Sequence, residues 1–421
     1  VICAALVAIY RPHPWSGASE RVNFWAGAVA LVMAAQLVPL PAAVVDRLSP
    51  HARAVRQAFS LSPVTGALPL SIDSAWTLWA VGVYAGLLAL FYVCQTIFAA
   101  GGVRIVARGI ATTGLLLSAV SLAQEATAHG LIYWHWATPT PVAPPFGPFF
   151  NRDHYATWVV MALPLTLGYL RVHAAAHARP EPLPGAGWRT SLRHAADARS
   201  LWLAAAICLM LVGLVASQSR AGMAGLLAAL AAGALWQRQR PGEARSSAWI
   251  AVAVAMAILL ALARVDPAGL LRRFGASGGA MAGRLHIWQA TLPVVRDFWL
   301  TGTGAGTYET VMLAQPREPS LFRINAAHNH YLQMFTDGGL LMAVPIVLAV
   351  IAFVRVARGA LQRDRSGMFL VRAGALSGLA GAAVQSIWET GWATPANAIL
   401  AAILAAIVVH EPPRPSGRAT G

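Results

Sequence analysis

The recurrence of apolar runs long enough to cross a bilayer limits this chain more than any other feature of its sequence. They lie near residues 24–44, 75–99, 105–123, 155–172, 201–216, 221–236, 248–263, 339–357, 369–389 and 393–410, and a shorter run at 1–10 makes eleven. About 20 apolar residues in a helix span a hydrocarbon core, and a backbone in lipid must satisfy its own hydrogen bonds. The prediction is an all-α fold, a polytopic membrane helix bundle that forms one integral membrane domain over residues 1–421. With 57% hydrophobic and only 11% charged residues, the chain lacks the polar surface of a soluble domain. Val1 falls inside an apolar stretch with no cleavable signal pattern, so upstream sequence is expected.

The net charge of +15 comes from arginine alone, because the sequence has no lysine. Its short basic clusters between apolar runs fit the setting of topology and not nucleic-acid binding. Read as one helix, residues 201–236 would extend about 54 Å, far beyond a core of about 30 Å. Ser217-Gln218-Ser219-Arg220 is therefore predicted to be a turn between two short spans. With loop 173–200 on the cytoplasmic side, nineteen arginines fall inside and five, Arg47, Arg53, Arg56, Arg152 and Arg220, in short outer loops. The other seven belong to the loop 264–338, predicted to be extracytoplasmic and too long to follow the positive-inside rule. Cys3, Cys94 and Cys208 all lie in apolar runs, which argues against disulfides and cysteine metal sites.

This topology sends residues 125–154, 217–220 and 264–338 to the outer face. In the long loop, Met281, Leu285, Trp288, Leu292, Val295 and Trp299 recur at spacings of four and three, which predicts an amphipathic helix on the membrane surface or across the bundle mouth. Arg284 sits beside that stripe, either facing a cavity or reaching for lipid phosphate. Gly302-Thr303-Gly304-Ala305-Gly306-Thr307-Tyr308 invites a nucleotide reading, but it lacks the strand-flanked unit of a dinucleotide site and the lysine of a phosphate loop; a tight turn is predicted.

His328-Asn329-His330 stands at the edge of the apolar run Gly338 to Val354. Titratable groups at such an edge are costly and mark a functional site unless they are mere interface residues. No Asp-x-Asp or Asp-x-Glu occurs in the chain, so no metal is expected, and histidine itself exchanges protons near neutral pH. Arg220 is suited to bidentate phosphate binding, with a helix-end arginine as the plain alternative. Asn151 is expected to cap the following helix and Arg152-Asp153 to form a local ion pair. Trp134, His135 and Trp136 read as an interfacial aromatic belt, with carbohydrate stacking as the lesser reading.

Four segments in order resemble the O-antigen ligase and polymerase family of bacterial membrane glycosyltransferases. They are F-F-N-R-D-H-Y-A at 149–156, S-Q-S-R-A-G at 217–222, G-R-L-H-I-W at 283–288, and His328, Asn329, nine residues and Gly339, with Tyr331-Leu332-Gln333 between. The resemblance covers about residues 146–341, and two departures, His330 and the Gly338-Gly339 pair, leave the choice between His328 and His330 as the base open. It implies a GT-C bundle of twelve helices in the inner membrane, the eleven runs plus one upstream, with the active site facing the periplasm. It also implies an undecaprenyl-diphosphate-linked glycan as donor, no cofactor, and inverting transfer to an acceptor hydroxyl. His328 would be the base and Arg220 and Arg284 the diphosphate-stabilising pair, while Arg152, Arg323, Asn329, His330 and Tyr331 would hold substrate.

The acceptor stays open among lipid A core, a second lipid-linked glycan and a protein hydroxyl. A transporter would instead carry charged residues within its spans, whereas here the polar groups gather at one membrane face.

Overall fold

The computed structural model describes residues 2–12, 17, 19–137, 145–177, 197–238, 277–314 and 323–411. The apolar run 248–263, with Arg179, Arg189, Arg193, Arg240 and Arg245, lies outside the described residues. The described chain forms fourteen α-helices and no β-strand: α1 Ile2–Tyr10, α2 Glu20–Ala35, α3 Ala42–Leu48, α4 Ala52–Ala58, α5 Ser74–Ala99, α6 Val103–Thr127, α7 Arg152–His177, α8 Ala198–Ala216, α9 Arg220–Arg238, α10 Ser277–Asp297, α11 Tyr308–Leu313, α12 His330–Arg363, α13 Met368–Gln385 and α14 Pro395–Val409.

Every described apolar run is helical over most of its length, and the fold is an all-α polytopic membrane bundle. Among the described residues, six helices are long and apolar enough to cross a membrane: α5, α6, α7, α8, α12 and α13. The run 24–44 is not a single span, since α2 stops at Ala35 and α3 starts at Ala42. Pro39 and Pro41 explain the break, because proline lacks a donor and pushes the preceding residue out of helical geometry. The run 339–357 is longer than expected, extending to His330–Arg363 with a sharp kink at Gly339 (φ 55, ψ −159). The predicted turn at 217–220 is present: α8 ends at Ala216, Gln218 is left-handed (φ 54) and α9 begins at Arg220.

The chain divides into two compact units. The first takes residues 1–96, 275–356 and 386–390. One of its cores joins Val45, Ala52, Val55 and Leu68 to Val294, Phe298 and Val311; another joins Val29 and Met33 to Ala305 and Met342. Along α12, Leu340, Val344, Val347, Ile351 and Val354 form an exposed apolar stripe at helical spacing, the face expected to meet lipid.

The second unit takes residues 97–274, 357–385 and 391–421 and is built around α7 and α13. These two helices run backbone against backbone. A Cβ on Gly374 would stand 2.3 Å from the Pro164 carbonyl oxygen, and one on Gly378 2.4 Å from that of Met161. Small residues at four-residue spacing permit this approach, by which helices in lipid associate without a hydrophobic driving force. Asp197 caps α8 by accepting from the Ser200 N–H at 2.9 Å, and its other oxygen lies 2.7 Å from His173 Nε2.

Candidate functional site

The segment before α12 is clamped from two sides. The Ala327 N–H donates to Gln333 Oε1 at 3.0 Å, and the Ala327 carbonyl accepts from the Trp288 indole at 2.9 Å. Asn329 caps the helix, accepting from the Leu332 N–H at 3.0 Å, and the His330 N–H donates to the Ser386 carbonyl at 2.9 Å. Between these anchors His328 takes a left-handed conformation (φ 47), uncommon for a residue with a side chain and tolerated where neighbours over-determine it. Its backbone geometry is therefore fixed before any ligand arrives.

His328 Nδ1 lies 3.1 Å from Glu389 Oε1, and the other oxygen of that carboxylate lies 3.5 Å from Arg284 Nη2. The Thr390 N–H also donates to Oε1, at 3.1 Å. The Glu389 side chain is only 2% exposed, whereas His328 is 32% and Arg284 22% exposed. A buried carboxylate thus joins two cationic or ionisable groups that reach solvent, an arrangement in which both charges have partners. Histidine in this position can take a proton, and arginine can meet an anion.

Arg284 is carried by α10, whose predicted existence is confirmed over Ser277–Asp297, two residues short of Trp299. Its apolar stripe points outward, with Met281, Leu285, Leu292 and Trp299 exposed, which favours a helix lying on an apolar surface. The opposite side packs into the unit: Thr291 and Val294 are fully buried, and Thr291 Oγ1 lies 2.7 Å from the Tyr308 hydroxyl. Burial pushes the Tyr308 phenol up to about 12, keeping it a neutral hydrogen-bonding group.

The glycine segment is a turn, as expected, with Gly302, Gly304 and Gly306 all at positive φ. It wraps around α12. The Gly304 N–H donates to the Asp337 carbonyl at 2.9 Å, and the Gly306 N–H to Asp337 Oδ2 at 3.1 Å. Gln36 donates to the carbonyls of Thr301 and Asp337 at 3.0 and 3.1 Å. Gly339 sits at the tightest point, where a Cβ would stand 2.5 Å from Gly302 N and 2.6 Å from the Leu300 carbonyl carbon and oxygen. The histidine and glycine of the motif therefore have different tasks: one faces the site, the other seats the helix that carries it.

In the second unit, the segments at 149–156 and 217–222 interlock. Asn151 caps α7, accepting from the Asp153 N–H at 2.8 Å. The Asp153 carboxylate accepts from the Ser219 hydroxyl, and its carbonyl accepts from Gln385 at 3.0 Å. Ser219 Oγ in turn accepts from the Gly222 N–H at 3.0 Å, and a Cβ on Gly222 would stand 2.5 Å from that of Ala156. Arg220 opens α9 directly after this contact, and Arg152 opens α7. The His154 side chain lies 2.8 Å from the Thr394 hydroxyl, while its carbonyl accepts from Asn397 at 3.0 Å.

Of the residues singled out in the sequence, His328 and Arg284 meet on one carboxylate. Arg220 and Arg152 belong to the second unit. Arg323 is largely exposed and ion-paired with Glu309. Asn329 uses its side-chain oxygen as a helix cap, His330 begins α12, and Tyr331 is half exposed. The sequence reading missed Glu389, which ends the apolar run 369–389. A lone carboxylate at the outer end of a span was the available signal.

Comparison with known proteins covers three of the four segments singled out in the sequence. No curated protein matched the chain. Residues 205–347 match the family model described as O-antigen ligase, a stretch that includes Arg220, Arg284, His328 and Gly339. Through this segment the chain, a multi-pass membrane protein, is similar to the O-antigen ligase family.

Proposed function

We propose that the protein transfers a glycan from an undecaprenyl-diphosphate donor to an acceptor hydroxyl at the outer face of the cytoplasmic membrane, with inversion and without a metal. The observation that carries this reading is the pairing of His328 and Arg284 on one buried carboxylate. His328 takes the acceptor proton, the acceptor oxygen bonds to the anomeric carbon, and the sugar–diphosphate bond breaks with its electron pair on the leaving diphosphate. Arg284 stabilises the charge that grows there, as preorganised donors do best in a water-poor site. Between the two histidines we assign the base to His328, which reaches solvent beside Glu389. For Arg220 and Arg152 we infer phosphate binding on guanidinium chemistry alone, and for Arg323 and Tyr331 contact with acceptor or glycan.

The test is a transfer assay in liposomes with an undecaprenyl-diphosphate oligosaccharide. Lipid A core, a second lipid-linked oligosaccharide and an acceptor peptide are supplied in parallel, with and without EDTA. Product on one acceptor that survives EDTA and disappears in His328→Ala, Arg284→Ala and Arg220→Ala is expected, and it names the enzyme as ligase, polymerase or protein glycosylating. Activity that persists in His328→Ala overturns the base assignment; folded protein inactive on every acceptor moves the reading to transport.

A further inference from the structure

Glu389 comes from the short segment between α13 and the turn Gly391–Ala393, 61 residues beyond His328 in the chain. A carboxylate this deeply buried is retained only where its charge is used or fully compensated. Oε1 takes the His328 Nδ1 contact and the Thr390 N–H, at 3.1 Å each, while Oε2 lies 3.5 Å from Arg284 Nη2. Of these two side-chain contacts, the one to the histidine is the closer.

We propose that Glu389 is the positioning residue of His328. Its carboxylate accepts a hydrogen bond from Nδ1–H, which fixes the imidazole in the tautomer whose Nε2 carries a free lone pair. Nε2 is then the atom that receives the acceptor proton, and the carboxylate stabilises the imidazolium so formed while the electron pair of the broken bond leaves on the diphosphate. Arg284 shares the same carboxylate, so an incoming diphosphate that attracts the guanidinium loosens its hold on Glu389 and strengthens the pairing of Glu389 with His328. Arg284 from α10 and His328 from the segment before α12 both contact the carboxylate, and both enter the scheme. The catalytic part of this scheme rests on the proposed transfer reaction. The tautomer does not.

Two readouts on the full chain separate these claims. In the first, histidine is labelled with nitrogen-15 and the imidazole shifts of His328 are assigned by their loss in His328→Ala. The expected result is the Nδ1–H form in the wild type and a change toward the Nε2–H form in Glu389→Gln. Identical tautomers in both proteins overturn the proposal, whether or not the protein transfers glycan. In the second, the transfer assay compares Glu389→Gln and Glu389→Asp. The Gln variant is expected to lose kcat on the order of 10²-fold, with donor KM within about twofold of wild type. Glu389→Asp is expected to recover part of the rate, and His328→Ala with Glu389→Gln to be no worse than His328→Ala alone. A loss confined to donor KM places Glu389 on Arg284 only and overturns the proposal, as do independent, multiplying losses in the double variant.

Discussion

Gly339→Ala tests how the site is mounted, because this glycine both kinks α12 and meets the glycine turn. The alanine would hold φ 55 and ψ −159, a region essentially closed to side-chain-bearing residues, at about 1–3 kcal/mol. Its Cβ would also stand 2.5–2.6 Å from Gly302 N and the Leu300 carbonyl, and because these are backbone atoms no rotamer change relieves the contact. Overpacking of this kind costs about 1–3 kcal/mol. If the chain shifts to relieve it, the Leu340 N–H to Trp299 carbonyl bond at 2.8 Å and the Leu341 N–H to Leu300 carbonyl bond at 3.0 Å are strained. A destabilisation of about 4 kcal/mol is expected, which corresponds to a fall in apparent Tm of roughly 4–5 °C for a protein of this size. The assay is thermal unfolding in detergent followed by tryptophan fluorescence at one scan rate, since such melts are commonly irreversible. Gly109→Ala, whose Cβ meets nothing within 4 Å in the middle of α6, is the control and should melt at or slightly above wild type. A Gly339→Ala protein melting within about 2 °C of wild type would refute the reasoning. Transfer by the variant should also fall, because His328 precedes the same helix.

Three further outcomes follow from the geometry. Gln333→Ala removes the acceptor of the Ala327 N–H and should lower transfer about tenfold, equivalent to ~1.4 kcal/mol, with little change in melting; an unchanged rate would show that Trp288 alone holds the segment. Gly378→Ala forces α13 away from the Met161 carbonyl and should destabilise by about 1–3 kcal/mol, read in the same melt. Asp197→Ala should lose about 1 kcal/mol of helix capping at neutral pH. The Ser200 hydrogen bond first, then that of His173, hold the Asp197 carboxyl below its ordinary range. Its stabilisation is therefore present above the unfolded value, about 3.9, and is lost as pH falls through the lower folded value, so wild type and variant should converge only in strong acid.

Much of the architecture was legible in the sequence because membrane spans announce themselves by length and apolarity. The turn at Ser217 to Arg220 followed from the span lengths and the arginine placement, and α10 from a stripe at helical spacing. The run 24–44 was misread because hydropathy ignores Pro39 and Pro41, which act on the backbone and not through polarity. The contact between His328 and Arg284 through Glu389 was not legible. Glu389 is distant in sequence, belongs to none of the four segments, and meets His328 only once residues 386–390 and the segment before α12 come together within the first unit. The roles of Asn329 and Gly339 also needed coordinates, since a motif does not separate residues that face a substrate from residues that shape the backbone beneath it.

The outward stripe of α10 has a practical consequence. Met281, Leu285, Leu292 and Trp299 are each 38–54% exposed, so about 1 kcal/mol apiece depends on the apolar medium that covers them. The helix bearing Arg284 is thus supported by protein on one side, and its exposed stripe calls for an apolar support on the other. Extraction into a short-chain detergent replaces the second support with a thinner and more mobile one, and the guanidinium moves with it. For this architecture a screen of amphiphiles is also a screen of the surface on which the Arg284 helix rests, and activities measured in different micelles are compared on different supports.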